Sequence, residues 1–158
     1  MFLAMLMTFL GCSGNRPSGA FGYYEYRYTT MGEYPREYYR LEYNEEHILT
    51  LTWAKECSDY TVLRVPEDAV QELTGLICKH KLYRLRDSYQ PLFDIRDGDM
   101  WHVYYSYEKG YVGCSAYHSR PPKALWAGVQ AVNAYFSSLI EALSEDDILE
   151  VRKNTEAQ

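Results

Sequence analysis

Residues 36–65, REYYRLEYNEEHILTLTWAKECSDYTVLRV, decide how this chain folds. In the first third, Tyr39, Leu41 and Tyr43 alternate with Tyr38, Arg40 and Glu42. In the second, Leu49, Leu51 and Trp53 alternate with Thr50 and Thr52. A period of two places successive side chains on opposite faces of a strand, so each run predicts a half-buried strand. NEE and CSD are polar turns between the runs, and YTVLRV is a further strand. Connections this short join antiparallel neighbours, which predicts a meander. Upstream, FGYYEYRYTT starts the meander at Phe21, and MGEYP, with Gly32 and Pro35, breaks it from the next strand.

Downstream, residues 65–87 carry apolar side chains at Ala69, Val70, Leu73, Leu76 and Ile77, with His80 following. Three-and-four spacing predicts one amphipathic helix. Pro66, Glu67 and Asp68 suit its first turn, and Lys79, Lys81, Arg84 and Arg86 suit its carbonyl end. SYQPLFDI is a short extended piece, and Asp97-Gly98 is a turn. MWHVYYSY and YVGCSAYH flank Glu108-Lys109-Gly110. A three-residue loop ending in Gly predicts a hairpin with a G1 bulge, in which Tyr107 faces Tyr111. From Ser119 to Asp147, Leu125, Val129, Val132, Phe136, Leu139, Ile140 and Leu143 keep a helical period. The order is ββββ-α-(β)ββ-α. Strand runs closed by helices predict an α+β fold, an antiparallel sheet with two helices on one face.

Charge narrows the partners. Sixteen Lys and Arg against 22 Asp and Glu give a net charge of −6. No basic excess is available to neutralise phosphates, which argues against nucleic acid. With 158 residues and 47% hydrophobic side chains, the chain forms one globular domain.

The first ten residues, MFLAMLMTFL, are uncharged and too few to span a bilayer. They match the apolar region of a signal peptide. Gly11-Cys12 follows directly, and this junction resembles the lipobox of bacterial lipoproteins. The resemblance implies cleavage before Cys12 and acylation of its thiol. Phe9 stands three before Cys12, where the family usually carries Leu. The organisation expected is a signal peptide at 1–11, a lipidated Cys12 and flexible tether at 12–20, a domain at 21–147 and a charged tail at 148–158. Asp97-Gly98, Trp101, Glu108-Lys109-Gly110, Cys114-Ser115-Ala116 and Pro121-Pro122 also resemble pieces of an uncharacterised family of small bacterial cell-envelope lipoproteins. That likeness implies an α+β protein of the envelope, lipid-anchored on the outer-membrane or periplasmic side, and carries over no catalytic residue.

Candidate chemistry is sparse. Cys57, Cys78 and Cys114 remain once Cys12 is acylated, so at least one stays unpaired, and their spacing fits no zinc pattern. In the three-residue-loop register His102 and His118 become diagonal neighbours on one face, with Cys114 as the only third ligand at hand. An enzyme built from His102, His118 and Cys114 is therefore the weakest functional reading. Asp94, Asp97 and Asp99 read as a solvated turn without the calcium-loop spacing. No Gly-rich phosphate loop occurs, and no metal or cofactor is expected. The strongest signal is tyrosine: eight fall between Tyr23 and Tyr43, interleaved with Arg27, Arg36 and Arg40. Two helices cover one face only, so Tyr38, Arg40 and Arg27 are expected on the open face. Tyr and Arg are enriched at binding hot spots. The expectation is a module that docks a protein, peptide or glycan there. The alternative is a structural or inhibitory subunit of an envelope complex.

Overall fold

A computed structural model describes residues 16–30, 35–93 and 98–154. The meander consists of β1 (Ser18–Thr30), β2 (Pro35–Tyr43), β3 (Leu49–Lys55) and β4 (Tyr60–Arg64). Helix α1 (Asp68–Lys79) follows, then β5 (Ser88–Tyr89), the hairpin β6 (Asp99–Lys109) and β7 (Tyr111–Tyr117), helix α2 (Lys123–Ala142) and β8 (Ile148–Arg152). All eight strands form one sheet in the order β5-β7-β6-β1-β2-β3-β4-β8. Every pairing is antiparallel except β5 with β7. The fold is α+β, as the alternation and the helical periods predicted.

One face of the sheet carries the core. Tyr24 and Tyr26 of β1, Tyr39 and Leu41 of β2, Leu49 and Leu51 of β3, and Trp101, Val103 and Tyr105 of β6 are fully or almost fully buried. Ala69, Leu73 and Ile77 of α1 and Val129, Val132 and Phe136 of α2 meet them. Phe136 lies between two tyrosines, 5.6 Å from the Tyr24 ring and 5.5 Å from Tyr39. Trp53, Leu125 and Leu139 pack against this cluster only partly buried. Tyr43, expected in the core, sits at its rim, 37% exposed, and donates a 2.6 Å hydrogen bond to Glu67.

Four boundaries differ from the sequence expectation. Strand β1 starts at Ser18, inside the expected tether, because Ser18 pairs with Lys109 across the sheet. Helix α1 stops at Lys79, not near 87. Continuing its stripe past Ile77 would bring Lys81 and Arg84 to the core face, so the chain instead turns through Lys81, whose φ is 56°. A 3-10 turn then buries Leu82, and Leu85 follows it into the core. Gly128 of α2 permits this, since a Cβ there would sit 2.5 Å from His80 Cβ and 2.8 Å from Leu82 Cδ2. Helix α2 runs over 123–142 rather than 119–147. Lastly, Ile148–Arg152 is not tail but an edge strand on β4. Ser144 and Asp147 cap the turn before it reciprocally, which redirects the chain to the sheet edge.

The hairpin register is also corrected. Ser106, not Tyr107, pairs with Tyr111, and the Tyr107 N–H donates to the Gly110 carbonyl at 3.0 Å. A one-residue slip would turn every β7 side chain over. The observed register sets Val112, Cys114 and Ala116 opposite Tyr105, Val103 and Trp101, all buried. Burial of those three side chains outweighs the turn preference.

Candidate functional site

The face opposite the helices is built from three rows that cross the sheet. The register aligns Gly113, Tyr104, Glu25, Arg40, Thr52, Val62 and Glu150 in one row. Beside it run Tyr111, Ser106, Tyr23, Glu42, Thr50 and Arg64. On the other side run Ser115, His102, Arg27, Tyr38 and Ala54. Arg27, Tyr38 and Arg40 therefore stand on one surface, where the alternation placed them.

Arg40 is the hub. Its guanidinium donates to Glu25 at 2.5 Å and Glu42 at 2.7 Å. It also lies over the Tyr23 ring, 4.9 Å from the centroid. Hydrogen bonds donated to Glu42, then Glu25, favour the charged guanidinium over the opposing effect of burial. The Tyr38 hydroxyl donates to the same Glu25 carboxylate at 3.3 Å, and its ring packs edge-on against Tyr60 at 5.2 Å. Burial, and then the Glu25 charge, raises the Tyr38 hydroxyl pKa. Arg40 thus pairs with two acids and lies on one ring, while Glu25 and Tyr60 hold Tyr38, an arrangement that leaves these side chains less rotamer freedom to lose on binding.

A second cluster lies on β6 and β7. The His102 Nδ1 is 3.0 Å from Ser115 Oγ, and the Tyr104 hydroxyl is 2.8 Å from the same oxygen. The His102 and Tyr104 rings stack at 5.9 Å. Burial, then repulsion from Arg27, lowers the His102 pKa below its ordinary 6.5 and favours the neutral ring. Tyr111 is 54% exposed, and its ring lies over Gly113, where any Cβ would collide with it. Tyr23 belongs to the tyrosine cluster read from the sequence, but Tyr104 was not singled out there, and Tyr111 and Ser115 were not read as part of this face. The signal was present in the apolar parity of Val112, Cys114 and Ala116, which turns Tyr111, Gly113 and Ser115 outward.

Near the other edge an open hollow of about 650 Å³ lies over Thr50, Thr52 and Val62. Glu42, Arg64 and Glu150 stand around it. Its floor is 7% exposed or less although no helix covers it. The hollow was invisible in the sequence because β8, which supplies one wall, read as tail.

The grouping of His102, His118 and Cys114, the weakest reading of the sequence, does not assemble. His102 is on the open face, Cys114 is on the core face and fully buried, and His118 lies beyond β7 with φ at 41°. Burial, then the Asp87 charge, pushes the Cys114 thiol up to about 12, so it stays protonated at neutral pH. Among the described residues no three His, Cys, Asp or Glu side chains group around a metal position. Cys57, Cys78 and Cys114 are free thiols. Asp99 is held by Arg120 and lies 3.4 Å from His118. Asp94, Asp97 and Cys12 lie outside the described residues. Among the described residues no helix is long and apolar enough to cross a membrane. No protein-family model matches the chain, and no curated protein matches it.

Proposed function

We propose that this chain is a lipid-anchored binding module of the cell envelope, joined to the membrane through Cys12, that docks a protein, peptide or glycan on its open sheet face. The observation that carries the reading is composition at known positions. The solvated face of an antiparallel sheet is ordinarily polar. This one presents Tyr23, Tyr38, Tyr104 and Tyr111 around Arg27 and Arg40. Rigid aromatic side chains supply contact area at small entropic cost, and Arg adds directional hydrogen bonds.

Tyr38 and Arg40 are bonded into the sheet, so substitutions there mix binding with stability. Tyr111, 54% exposed, flanks the same surface and makes the cleanest probe, and Arg27 of the same face is the second. The full chain is immobilised and its captured species from envelope extract are quantified. Tyr111→Ala and Arg27→Ala should each weaken retention of the same species by about 1–2 kcal/mol, and with Tyr111→Ala the unfolding midpoint should stay near that of the parent. Identical capture by parent and both variants overturns the docking surface.

A further inference from the structure

The segment between α1 and β6 has a composition the rest of the chain lacks. Residues 79–93, KHKLYRLRDSYQPLF, carry Lys79, Lys81, Arg84 and Arg86 against one acid, Asp87. That is a local net charge of +3 in a protein of −6. All four cations are exposed, and among the described residues no carboxylate lies within ion-pair distance of them. The same segment ends in the two most exposed large apolar side chains described, Leu92 at 96% and Phe93 at 80%. They are adjacent in the chain, and contiguous apolar surface in water is the signal of an interaction site.

Topology ties the end of this segment to one flank. β5 is the outermost strand on its side and runs parallel to β7, Ser88 beside Ser115 and Tyr89 beside Ala116. The Asp87 carbonyl receives the Ser115 N–H at 2.9 Å, so the basic segment enters β5 near the middle of β7. Leu92 and Phe93 follow Tyr89 by three and four residues, toward the end where β7 finishes at Tyr117. The start of β1 lies at the opposite end, where Ser18 pairs with Lys109 beside the β6–β7 turn.

We propose that this β5 flank rests on an anionic phospholipid bilayer, with Leu92 and Phe93 entering the headgroup boundary and Lys79, Lys81, Arg84 and Arg86 contacting lipid phosphates. An apolar plug beside a basic cluster is the combination that holds a domain at a charged interface, where each side chain adds a modest attraction. A basic cluster alone would fit any polyanion; the exposed Leu-Phe pair selects the lipid surface. Contact along this edge leaves the open face, with Tyr38 and Arg40, turned sideways and accessible. The inference rests on residues 79–93 and does not require acylation of Cys12.

The test uses the full chain carrying Cys12→Ala, so that no acyl group contributes, and reads sedimentation with vesicles. One set contains phosphatidylglycerol in phosphatidylcholine, the other phosphatidylcholine alone. Any contribution of residues 1–10 is common to every variant. The parent should partition to the anionic vesicles, and Leu92→Ser/Phe93→Ser and Lys81→Glu/Arg84→Glu/Arg86→Glu should each lose at least tenfold. On phosphatidylcholine the charge variant should equal its parent. Arg152→Glu/Lys153→Glu, which changes charge at the far edge, should bind anionic vesicles like the parent. Unchanged binding by both flank variants overturns the proposal. So does an equal loss with the far-edge variant, which would make the effect one of net charge. Loss with the charge variant alone, Leu92→Ser/Phe93→Ser being unchanged, overturns it in favour of a general polyanion contact.

Discussion

Single residues carry the fold through a few large buried rings. Phe136 has no exposed surface and contacts Tyr24, Tyr39 and Tyr135. Phe136→Ala removes the ring between sheet and α2 and leaves a cavity that polar tyrosine tips cannot close. The expected cost is about 3–5 kcal/mol in urea unfolding; an unchanged midpoint would place α2 off the sheet. Two titrating groups act together on acidification. Burial pushes the Asp99 carboxyl upward, but Arg120, by hydrogen bond and charge, and then His118 outweigh it, so its pKa is lowered from 3.8. A depressed carboxylate contributes stability above its unfolded pKa, and that contribution is lost as pH falls through the folded value. His102 is depressed too, from 6.5. Its unfolded form binds protons first, so stability falls as pH drops through about 6.5 toward the folded value. His102→Gln should flatten the pH dependence of the unfolding midpoint below about 6.5, and Asp99→Asn should flatten it only in the carboxylate range. A pH profile identical to the parent's in both variants would mean that neither group is coupled to folding.

At the scale of elements, periodicity was legible wherever one face is buried. The parity of β2 and β3 was readable because Tyr39, Leu41, Leu49 and Leu51 have no other place to go. The alternation likewise put Arg27, Tyr38 and Arg40 on the surface where they stand. What the sequence concealed were choices settled by partners distant in the chain. The β6–β7 register follows from Val112, Cys114 and Ala116 needing the core, which the local turn signal did not encode. The end of α1 follows from Leu82 packing at Gly128, 46 positions later. Strand β8 was hidden because an edge strand need bury nothing: all five of its residues are exposed, and its alternation is weakened by Glu150 and Arg152. Those charges have a use. An open edge carrying Ile148, Leu149 and Val151 is a template for another strand, and inserted charges are a common way to block such pairing. Glu150→Val/Arg152→Val should therefore raise the apparent mass in size-exclusion chromatography in a concentration-dependent manner. Identical elution of variant and parent across concentrations would show that the edge is blocked by something other than its charges.

At the scale of the whole molecule, three surfaces of one sheet have separate work on the reading advanced above. The first face holds α1 and α2, the second presents Tyr and Arg, and the β5 flank meets lipid. Their mutual geometry follows from strand order alone: a sheet standing on one edge keeps both faces clear of the bilayer. The start of the chain fits that arrangement. Ser18 is fixed at the β6–β7 end of the sheet, and it follows Cys12 by only six positions, at most about 20 Å of chain. An acyl group on Cys12 would hold that end of the domain close to the headgroups, while Leu92 and Phe93 would engage toward the other end. Two attachments combine by effective concentration, so both together hold the domain more tightly than either alone. In cells, labelled palmitate should enter the wild-type protein and not Cys12→Ala. Cys12→Ala should shift most of the protein from the membrane to the soluble exported fraction, with the residue left on the membrane released by adding Leu92→Ser/Phe93→Ser. Failure of the label to enter the wild type refutes the acyl anchor and leaves the flank to be judged by its vesicle binding.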